Sequence, residues 1–229
     1  MHMEKGLVYL ILGDPLSPLN LVAEDLASHL RTQGNETVLI FKDATSSHLA
    51  RASSSISFLL ISGSTNPIDW LEEMQQALFK NNFKLGRIIF LLDMVRLSKN
   101  PQWVSWAQAC VHFSDVVLMN NVEGVTKKWL QEFKEPYVKD CYPCLFVPLK
   151  GEQISNPALV LETLPLRISQ VFDIEYQLES KLLKEINASH SKWKTDCANG
   201  DECSDETFVD PYFEKFPNGI RVKKINSLP

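Results

Sequence analysis

Six short apolar runs, separated by segments of polar and helix-forming residues, limit the folds that this chain can adopt. The runs cover residues 7–12, 37–41, 57–61, 87–93, 115–120 and 144–149. Uninterrupted apolar runs of this length are typical of strands that are buried on both faces, as in parallel sheets. Pro148 lies in the last run, and proline cannot donate to a sheet, so we expect that strand at an edge.

Segments with apolar residues at helical spacing separate most of these strands. They cover residues 19–31, 68–80, 101–112 and 125–133. Strands that alternate with helices predict an α/β fold in which a mostly parallel, P-loop or Rossmann-like sheet has helices on both faces. We place this domain at residues 1–164.

The rest of the chain changes character. Ile168, Val171, Leu178 and Leu182 recur at helical spacing and predict one long helix over residues 165–188, which packs on the sheet or pairs in a homodimer. Residues 189–229 form an irregular tail, acidic at first and then aromatic around Phe208, Tyr212, Phe213 and Phe216. We expect the aromatic cluster to dock on the chain's own sheet or on another subunit. The helix and the aromatic tail are therefore the predicted contacts with a protein partner.

Charge and composition exclude two classes of partner. A net charge of −5 gives no electrostatic reason to bind nucleic acid. No apolar run approaches the roughly 20 residues that span a bilayer, so no membrane insertion is predicted. The chain enters strand-like sequence within a few residues, without a secretory signal pattern, and we expect a cytoplasmic protein.

The first strand leads through Gly13 and a proline-rich loop to a helix, a layout that holds phosphate in many nucleotide-binding proteins. The loop reads Gly13-Asp14-Pro15-Leu16-Ser17-Pro18-Leu19-Asn20. Against the P-loop pattern G-x-x-x-x-G-K-[ST], only the first glycine is kept. Pro18 has no N–H to offer, Leu19 stands in place of the lysine, and Asn20 stands in place of the magnesium-binding hydroxyl.

Three later segments carry a family resemblance. LLISGSTNP at residues 59–67 is similar to "LLIETSGLADP", RIIFLLD at residues 87–93 to "VVTVVDA", and HFSDVVLMNNVE at residues 112–123 to "IAFADVVLLNKTDL". These are segments of the CobW-type metal-chaperone GTPases, and they come in that family's order. The chain therefore resembles a degenerate member of this P-loop family over residues 6–133.

The resemblance implies a set of nucleotide-binding positions. The guanine-recognition motif N-K-x-D corresponds to Asn120-Asn121-Val122-Glu123, which keeps the asparagine and lengthens the acid. Asp43 falls near a family acid after the second strand, and Asp93 falls on the acid that ends "VVD". The implied site for GTP or GDP comprises Gly13, Asn20, Asp43, Asp93, Asn120 and Glu123. The family's metal-binding C-x-C-C motif is missing, since no cysteine precedes Cys110.

The cysteines allow a second kind of site. Cys141 and Cys144 form a C-x-x-C pair, and Cys197 and Cys203 could complete a four-thiolate zinc site if the tail folds back. The C-x5-C spacing of the second pair is irregular for zinc. Two pairs of free thiols are the alternative, and we do not expect bound zinc.

Two functional hypotheses follow. Without the lysine and the hydroxyl, the loop offers no counter-charge for a triphosphate, and phosphoryl transfer depends on such charge stabilisation. The first hypothesis is therefore a non-catalytic pseudo-GTPase, a binding or assembly module that could still hold guanine nucleotide weakly. It requires the old pocket to be filled, for instance by Pro15, Leu16 and Leu19, and an exposed apolar patch elsewhere.

The second hypothesis is an enzyme with a rebuilt active site at the carboxyl ends of the strands. Asp14, Asp43, Ser64 and Asp93 would converge there, because ligands of open α/β sheets bind at that edge. This hypothesis requires the four side chains to line one pocket and at least one of them to have a shifted pKa.

Overall fold

The computed structural model describes residues 6–35, 37–52, 55–63, 66–151, 153–173 and 210–223, together with Ile225 and Leu228. The chain divides into two compact units. Unit 1 comprises residues 1–168 and 224–229, and unit 2 comprises residues 169–223. All of the helices and sheet strands described below belong to unit 1.

Unit 1 is built on a six-stranded sheet in the order β2-β3-β1-β4-β5-β6, and every neighbouring pair is parallel. The strands are β1 (Leu7–Gly13), β2 (Val38–Phe41), β3 (Ile56–Ser62), β4 (Lys84–Asp93), β5 (Val116–Asn120) and β6 (Leu145–Pro148). The predicted parallel α/β class is confirmed, and the strand that contains Pro148 lies at an edge as expected.

Six α-helices connect and cover the strands. They are α1 (Leu19–Thr32), α2 (Pro67–Asn81), α3 (Met94–Lys99), α4 (Val104–Phe113), α5 (Lys127–Lys139) and α6 (Pro157–Leu161). The sequence did not predict α3 and α6, because a helix of five or six residues is too short to show a clear period. No helix in the described ranges is long and apolar enough to cross a membrane.

Local capping chemistry fixes where several helices begin. The Asn66 side chain accepts a hydrogen bond from the Ile68 N–H, and Pro67 occupies the first turn of α2, where its missing N–H costs nothing. Asp93 caps α3 by accepting from the Arg96 N–H, and Thr126 caps α5 by accepting from the Trp129 N–H. Asp93 therefore ends a strand and starts a helix at the same time.

Alternate residues of the central strands face opposite layers, as the period of two requires. One layer joins Tyr9 and Ile11 of β1 to Leu26 of α1 and Val160 of α6 in a single buried cluster. On the other side of the sheet, the Phe90 ring of β4 meets the Trp106 ring of α4 at 5.3 Å, edge to face. Helices thus cover both faces, which explains why the strands are apolar along their whole length.

A buried polar network braces the amino-terminal edge of the sheet. Arg87 in β4 is fully buried and donates to the carbonyl oxygens of Leu159 at 2.7 Å and Leu164 at 3.2 Å. Asp115, also fully buried, accepts from the N–H groups of Ile88 at 2.7 Å and Leu166 at 2.6 Å. Burial lowers the pKa of Arg87, while the nearby Asp115 carboxylate opposes that shift.

This network explains why one prediction fails. Residues 165–173, the start of the predicted helix 165–188, form a bend, a turn and irregular chain instead of a helix. Asp115 accepts a hydrogen bond from the Leu166 N–H and pairs with the Arg167 guanidinium at 3.2 Å, so tertiary contacts fix both residues beside the amino end of β5. Tertiary hydrogen bonds have overridden the apolar period here. Residues 174–188 lie outside the described residues.

Unit 2 is described over residues 169–173 and 210–223. Asp210 accepts hydrogen bonds from the Ser169 hydroxyl at 2.6 Å and from the Tyr212 N–H at 3.0 Å. A small hairpin follows, in which the Phe216 N–H donates to the Ile220 carbonyl and the Val222 N–H donates to the Glu214 carbonyl. Phe208 and the predicted acidic stretch before it lie outside the described residues, and docking of the aromatic tail stays a prediction.

Candidate functional site

The carboxyl ends of β1, β4 and β5 meet at one edge of the sheet. β1 and β4 are neighbours in the sheet, but the strands that follow them in the chain lie on opposite sides: β2 lies beyond β1, and β5 lies beyond β4. Loops that diverge in this way leave a crevice, and ligands of open α/β sheets bind in such a crevice. Asp14 follows β1, Asp93 ends β4, and Asn120 ends β5 directly opposite Asp93.

The side chain of Arg96, from α3, occupies this crevice. Its guanidinium forms an ion pair with Asp14, lies 3.3 Å from the Asp93 carboxylate through Nε, and donates through Nη2 to the Leu16 carbonyl at 3.1 Å. Both carboxylates are almost fully buried, whereas the Arg96 side chain is 28% exposed. Arg96 thus joins the loop after β1 to the end of β4 and closes the space between them.

The loop after β1 uses its own hydrogen-bond donors internally. The Leu16 N–H donates to the Asp14 carboxylate at 3.0 Å, and the Ser17 N–H donates to the Asp14 carbonyl at 3.0 Å. The Ser17 hydroxyl donates to the second Asp14 carboxylate oxygen at 2.6 Å, and the Leu19 N–H donates to the Ser17 carbonyl. Pro15 and Pro18 have no N–H. Every N–H between residues 15 and 19 is therefore absent or already bonded, so none remains to cradle a phosphate.

Leu19, at the position of a P-loop lysine, points inward. Its side chain is only 6% exposed and belongs to the core cluster under α1. A Cβ atom placed on Gly13 would lie 2.6 Å from a Leu19 methyl carbon, so the glycine is needed for Leu19 to pack. Leu16, which we also expected to fill the pocket, instead projects into solvent with 73% of its surface exposed.

Asn120, which ends β5, and Asn121, which follows it, also take part in bracing this edge. The Asn120 side-chain oxygen accepts from the Asn121 N–H at 2.9 Å, and Asn121 donates through Nδ2 to the Asp93 carboxylate at 2.8 Å. Asn121 adopts the left-handed conformation with φ of 54°, which asparagine tolerates better than most residues. Glu123, in the short 3₁₀ helix Val122–Gly124, is exposed.

The remaining predicted positions lie apart from this cluster or outside the described residues. Asp43 is exposed after β2 with φ of 44°, and no hydrogen bond or ion pair of the described residues joins it to Asp14 or Asp93. Asn20 is the second residue of α1, and its side-chain oxygen is buried without a hydrogen-bond partner in the described chain. Ser64 is not among the described residues.

The cysteines do not assemble a metal site within the described ranges, where no three His, Cys, Asp or Glu side chains come together. Cys141 is exposed and Cys144 is buried, and both are free thiols. Burial raises the pKa of the Cys144 thiol to about 12. Cys197 and Cys203 lie outside the described residues, so the four-cysteine site stays a prediction.

The cluster as a whole holds two carboxylates and one guanidinium, and each carboxylate already contacts the cation. Sequence reasoning named Asp14, Asp93 and Asn120, which lie at or just after strand ends, but it gave no role to Arg96, Asn121 or Ser17. In the arrangement found, the cluster can brace loops, but it presents neither a free base nor a net positive charge to a ligand.

No protein-family model matches the sequence, and no curated protein matches it either. Among solved structures, the zinc-bound YjiA GTPase from E. coli is similar over 80% of this chain and 79% of that chain, with 13% sequence identity and a TM-score of 0.39. The parallel α/β fold is established by the strands and helices described above.

Proposed function

We propose that this chain is a non-catalytic, CobW-like α/β protein that acts as a binding or assembly module. The observation that supports this most strongly is the Arg96 side chain, which fills the crevice between β1 and β4 and pairs with Asp14 and Asp93. A ligand in the usual position for this type of sheet would have to displace an arginine from two buried carboxylates.

Charge and donors both oppose a triphosphate at this edge. The cluster carries two negative charges and one positive, so a phosphate meets repulsion instead of a neutralising lysine. The loop has no spare N–H groups between residues 15 and 19 to replace the lost hydration of the phosphate oxygens. Breaking a buried ion pair to make room costs roughly 3–5 kcal/mol, which is comparable to a thousandfold loss of affinity.

The base-recognition half of the site supports only weak binding of guanine nucleotide. Asn120 is engaged with the Asn121 backbone, and Glu123 is the one acid of the implied motif that is exposed and offered to a ligand. We propose that any affinity for GTP or GDP comes from Glu123 and Asn120, at millimolar concentrations or weaker.

Calorimetric titration of GTP and GDP with magnesium into the purified full chain tests the proposal. We expect no heat of binding up to about 1 mM nucleotide, a concentration that corresponds to only about 4 kcal/mol of binding free energy. Micromolar binding that Asn120→Ala and Glu123→Ala abolish would overturn the pseudo-GTPase proposal and make the chain a nucleotide sensor.

An enzyme with a rebuilt site at the same edge is the alternative proposal. One observation favours it: Asp14 and Asp93, which follow different strands, do converge within reach of one guanidinium. Asp43 does not join them, and both converging carboxylates are engaged. GTP hydrolysis above the buffer rate that Asp93→Asn eliminates and Asp43→Asn leaves unchanged would favour the enzyme over the binding module.

A further inference from the structure

The outer face of α5 differs from an ordinary solvated helix face. A shallow hollow lies along it, and its lining includes Lys127, Leu130, Lys134, Glu135, Val138 and Lys139. The Val138 side chain is 71% exposed, and Leu130, about two turns earlier in α5, is half-buried. Apolar side chains exposed in a hollow offer burial to another molecule.

The opposite face of α5 already fixes the helix to unit 1. The Trp129 and Phe133 rings stack at 5.8 Å, and Tyr137 and Phe133 contact the Phe146 ring of β6 at 5.4 and 6.4 Å. These aromatic contacts hold the helix in place, so folding does not require Leu130 and Val138 to be covered. The outer face is therefore presented in a rigid, preorganised form, which lowers the entropy cost of binding.

The charge on this face is opposite in sign to that of the chain. Lys127 and Lys139 line the hollow and are exposed, and Lys134 also lines it with its ammonium 5.4 Å from the centre of the Phe146 ring. Glu135 is the acid among the lining residues, although the whole chain has a net charge of −5. On the neighbouring flank, Lys128 pairs with Glu132 at 3.8 Å. A locally cationic, partly apolar surface is complementary to a partner that combines acidic and apolar side chains.

The dimensions of the face fit a helix. Lys127 and Lys139 are separated by about 18 Å along the axis, and Leu130 and Val138 by about 12 Å, at 1.5 Å per residue. An amphipathic helix of three or four turns presents apolar residues at i, i+3 or i+4, and i+7, which spans the distance between Leu130 and Val138.

We propose that the outer face of α5 docks an acidic amphipathic helix of a partner protein, with apolar residues over Leu130 and Val138 and carboxylates beside the lysines. The inference rests on the proposed role as a binding module and names the surface that the role would use.

A synthetic peptide tests this with the intact chain. The probe is a helical peptide with a leucine stripe flanked by glutamates, and its control has the same composition in a scrambled order. We expect saturable binding of the striped peptide, weakened about tenfold between 20 and 200 mM salt because exposed charges are screened. Lys127→Glu with Lys139→Glu should weaken it about tenfold or more, and Val138→Ser about threefold or more.

A double variant elsewhere on the surface provides the matched control. Lys80→Glu with Lys84→Glu changes the net charge by the same amount at exposed positions outside α5, and it should leave binding within about twofold at fixed salt. All of the substituted side chains are exposed, so we expect unchanged unfolding midpoints, which circular dichroism verifies.

Several results would overturn the proposal. Equal binding by the scrambled peptide would show that the leucine stripe is not recognised. Equal binding by the Lys127→Glu/Lys139→Glu variant would show that the lysines do not attract the partner. Binding to anionic phospholipid vesicles in place of the peptide would assign the face to a membrane surface, and concentration-dependent association lost in Val138→Ser would assign it to a second copy. The nucleotide titration is independent: tight GTP binding contradicts the proposed function, whereas peptide failure alone contradicts only this inference.

Discussion

At the scale of single residues, Arg96 links the loop after β1 to the end of β4. One guanidinium pairs with two buried carboxylates and also donates to the Leu16 carbonyl, so it joins three segments of the chain. Removing one partner from a buried ionic cluster is far more damaging than never having the cluster, because the remaining charges lose both water and partner.

Arg96→Ala should therefore lower the free energy of unfolding by about 2–4 kcal/mol. Urea unfolding followed by circular dichroism measures the change. Arg31→Ala is the matched control, since Arg31 pairs with Glu24 at 3.3 Å on the surface, where both side chains are largely exposed. That substitution should cost less than about 0.5 kcal/mol. Equal losses in the two variants would show that the Arg96 cluster adds nothing to stability.

A second residue is strained by its backbone conformation. Cys141 follows the last turn of α5 and has a left-handed backbone conformation with φ of 53°. Its N–H donates to the Val138 carbonyl and the Tyr142 N–H donates to the Tyr137 carbonyl, which is a helix-ending turn where glycine is the usual residue. Cys141→Gly should raise the free energy of unfolding by about 0.5–1 kcal/mol.

Asn82 provides the comparison for this prediction, because it ends α2 with φ of 56° and asparagine tolerates that conformation. Asn82→Gly should therefore change the urea midpoint less than Cys141→Gly does. If Cys141→Gly destabilises the protein instead, the thiol makes a contribution that its exposed position does not explain.

The residue scale also shows where sequence reasoning reached its limit. Asp93 and Asn120 were predictable as members of one edge because strand ends of a parallel sheet meet there. Arg96 was not, because its position depends on α3, a helix of six residues whose beginning is set by Asp93 itself. Whether a long, flexible side chain turns into a crevice depends on tertiary contacts that no local pattern encodes.

At the scale of elements, the buried strands and the long helices follow from the sequence, and the segments tied by polar contacts do not. Each apolar run became a strand; the four inner strands are buried along most of their length, and the edge strands β2 and β6 are partly exposed. Ile168 and Val171 have helical spacing, yet residues 165–173 are not helical, and Asp115, 51 residues before Leu166 in the sequence, binds the Leu166 N–H and the Arg167 guanidinium. Buried aspartate and arginine thus decided what hydrophobic periodicity alone left open.

The helix α5 contains an internal proline whose cost is measurable. Pro136 lies in the tenth position of the helix, is exposed, and has no N–H for the Glu132 carbonyl. Pro136→Ala should raise the free energy of unfolding by about 1–2 kcal/mol, after part of the gain is offset by greater freedom of the unfolded chain. Thermal and urea unfolding both report the change. A loss of stability would mean that the aromatic contacts of Phe133 and Tyr137 require the bend that proline imposes.

At the scale of the whole molecule, stability should fall at alkaline pH. Burial raises the pKa of Cys144 and of Tyr9 to about 12 and that of Cys110 well above its ordinary value. In the unfolded chain these groups lose their protons near pH 9 to 10, whereas in the folded chain they keep them. The unfolded state then binds fewer protons than the folded state. Each group therefore lowers the free energy of unfolding by up to about 1.4 kcal/mol per pH unit between its unfolded-state pKa and its folded-state pKa.

Urea midpoints at pH 8 and pH 10.5 measure this effect, and Cys144→Ala isolates one contribution. The variant should lose less stability than the parent chain over the same interval, because it has one fewer thiol to titrate. An identical pH dependence in both proteins would show that Cys144 is not protected from titration in the folded state.

Because unit 1 contains residues from both before and after unit 2, cleavage of the chain within unit 2 leaves parts of unit 1 on both fragments. The chain leaves unit 1 after residue 168 and returns to it at residue 224, so unit 2 is an insertion with both ends anchored in the same body. Leu228 is buried, and a side chain on Gly63 would collide with it and with Trp106. A single peptide-bond break within unit 2 would therefore produce a large fragment and a small one that can remain associated without a covalent link, in the manner of a split-protein pair.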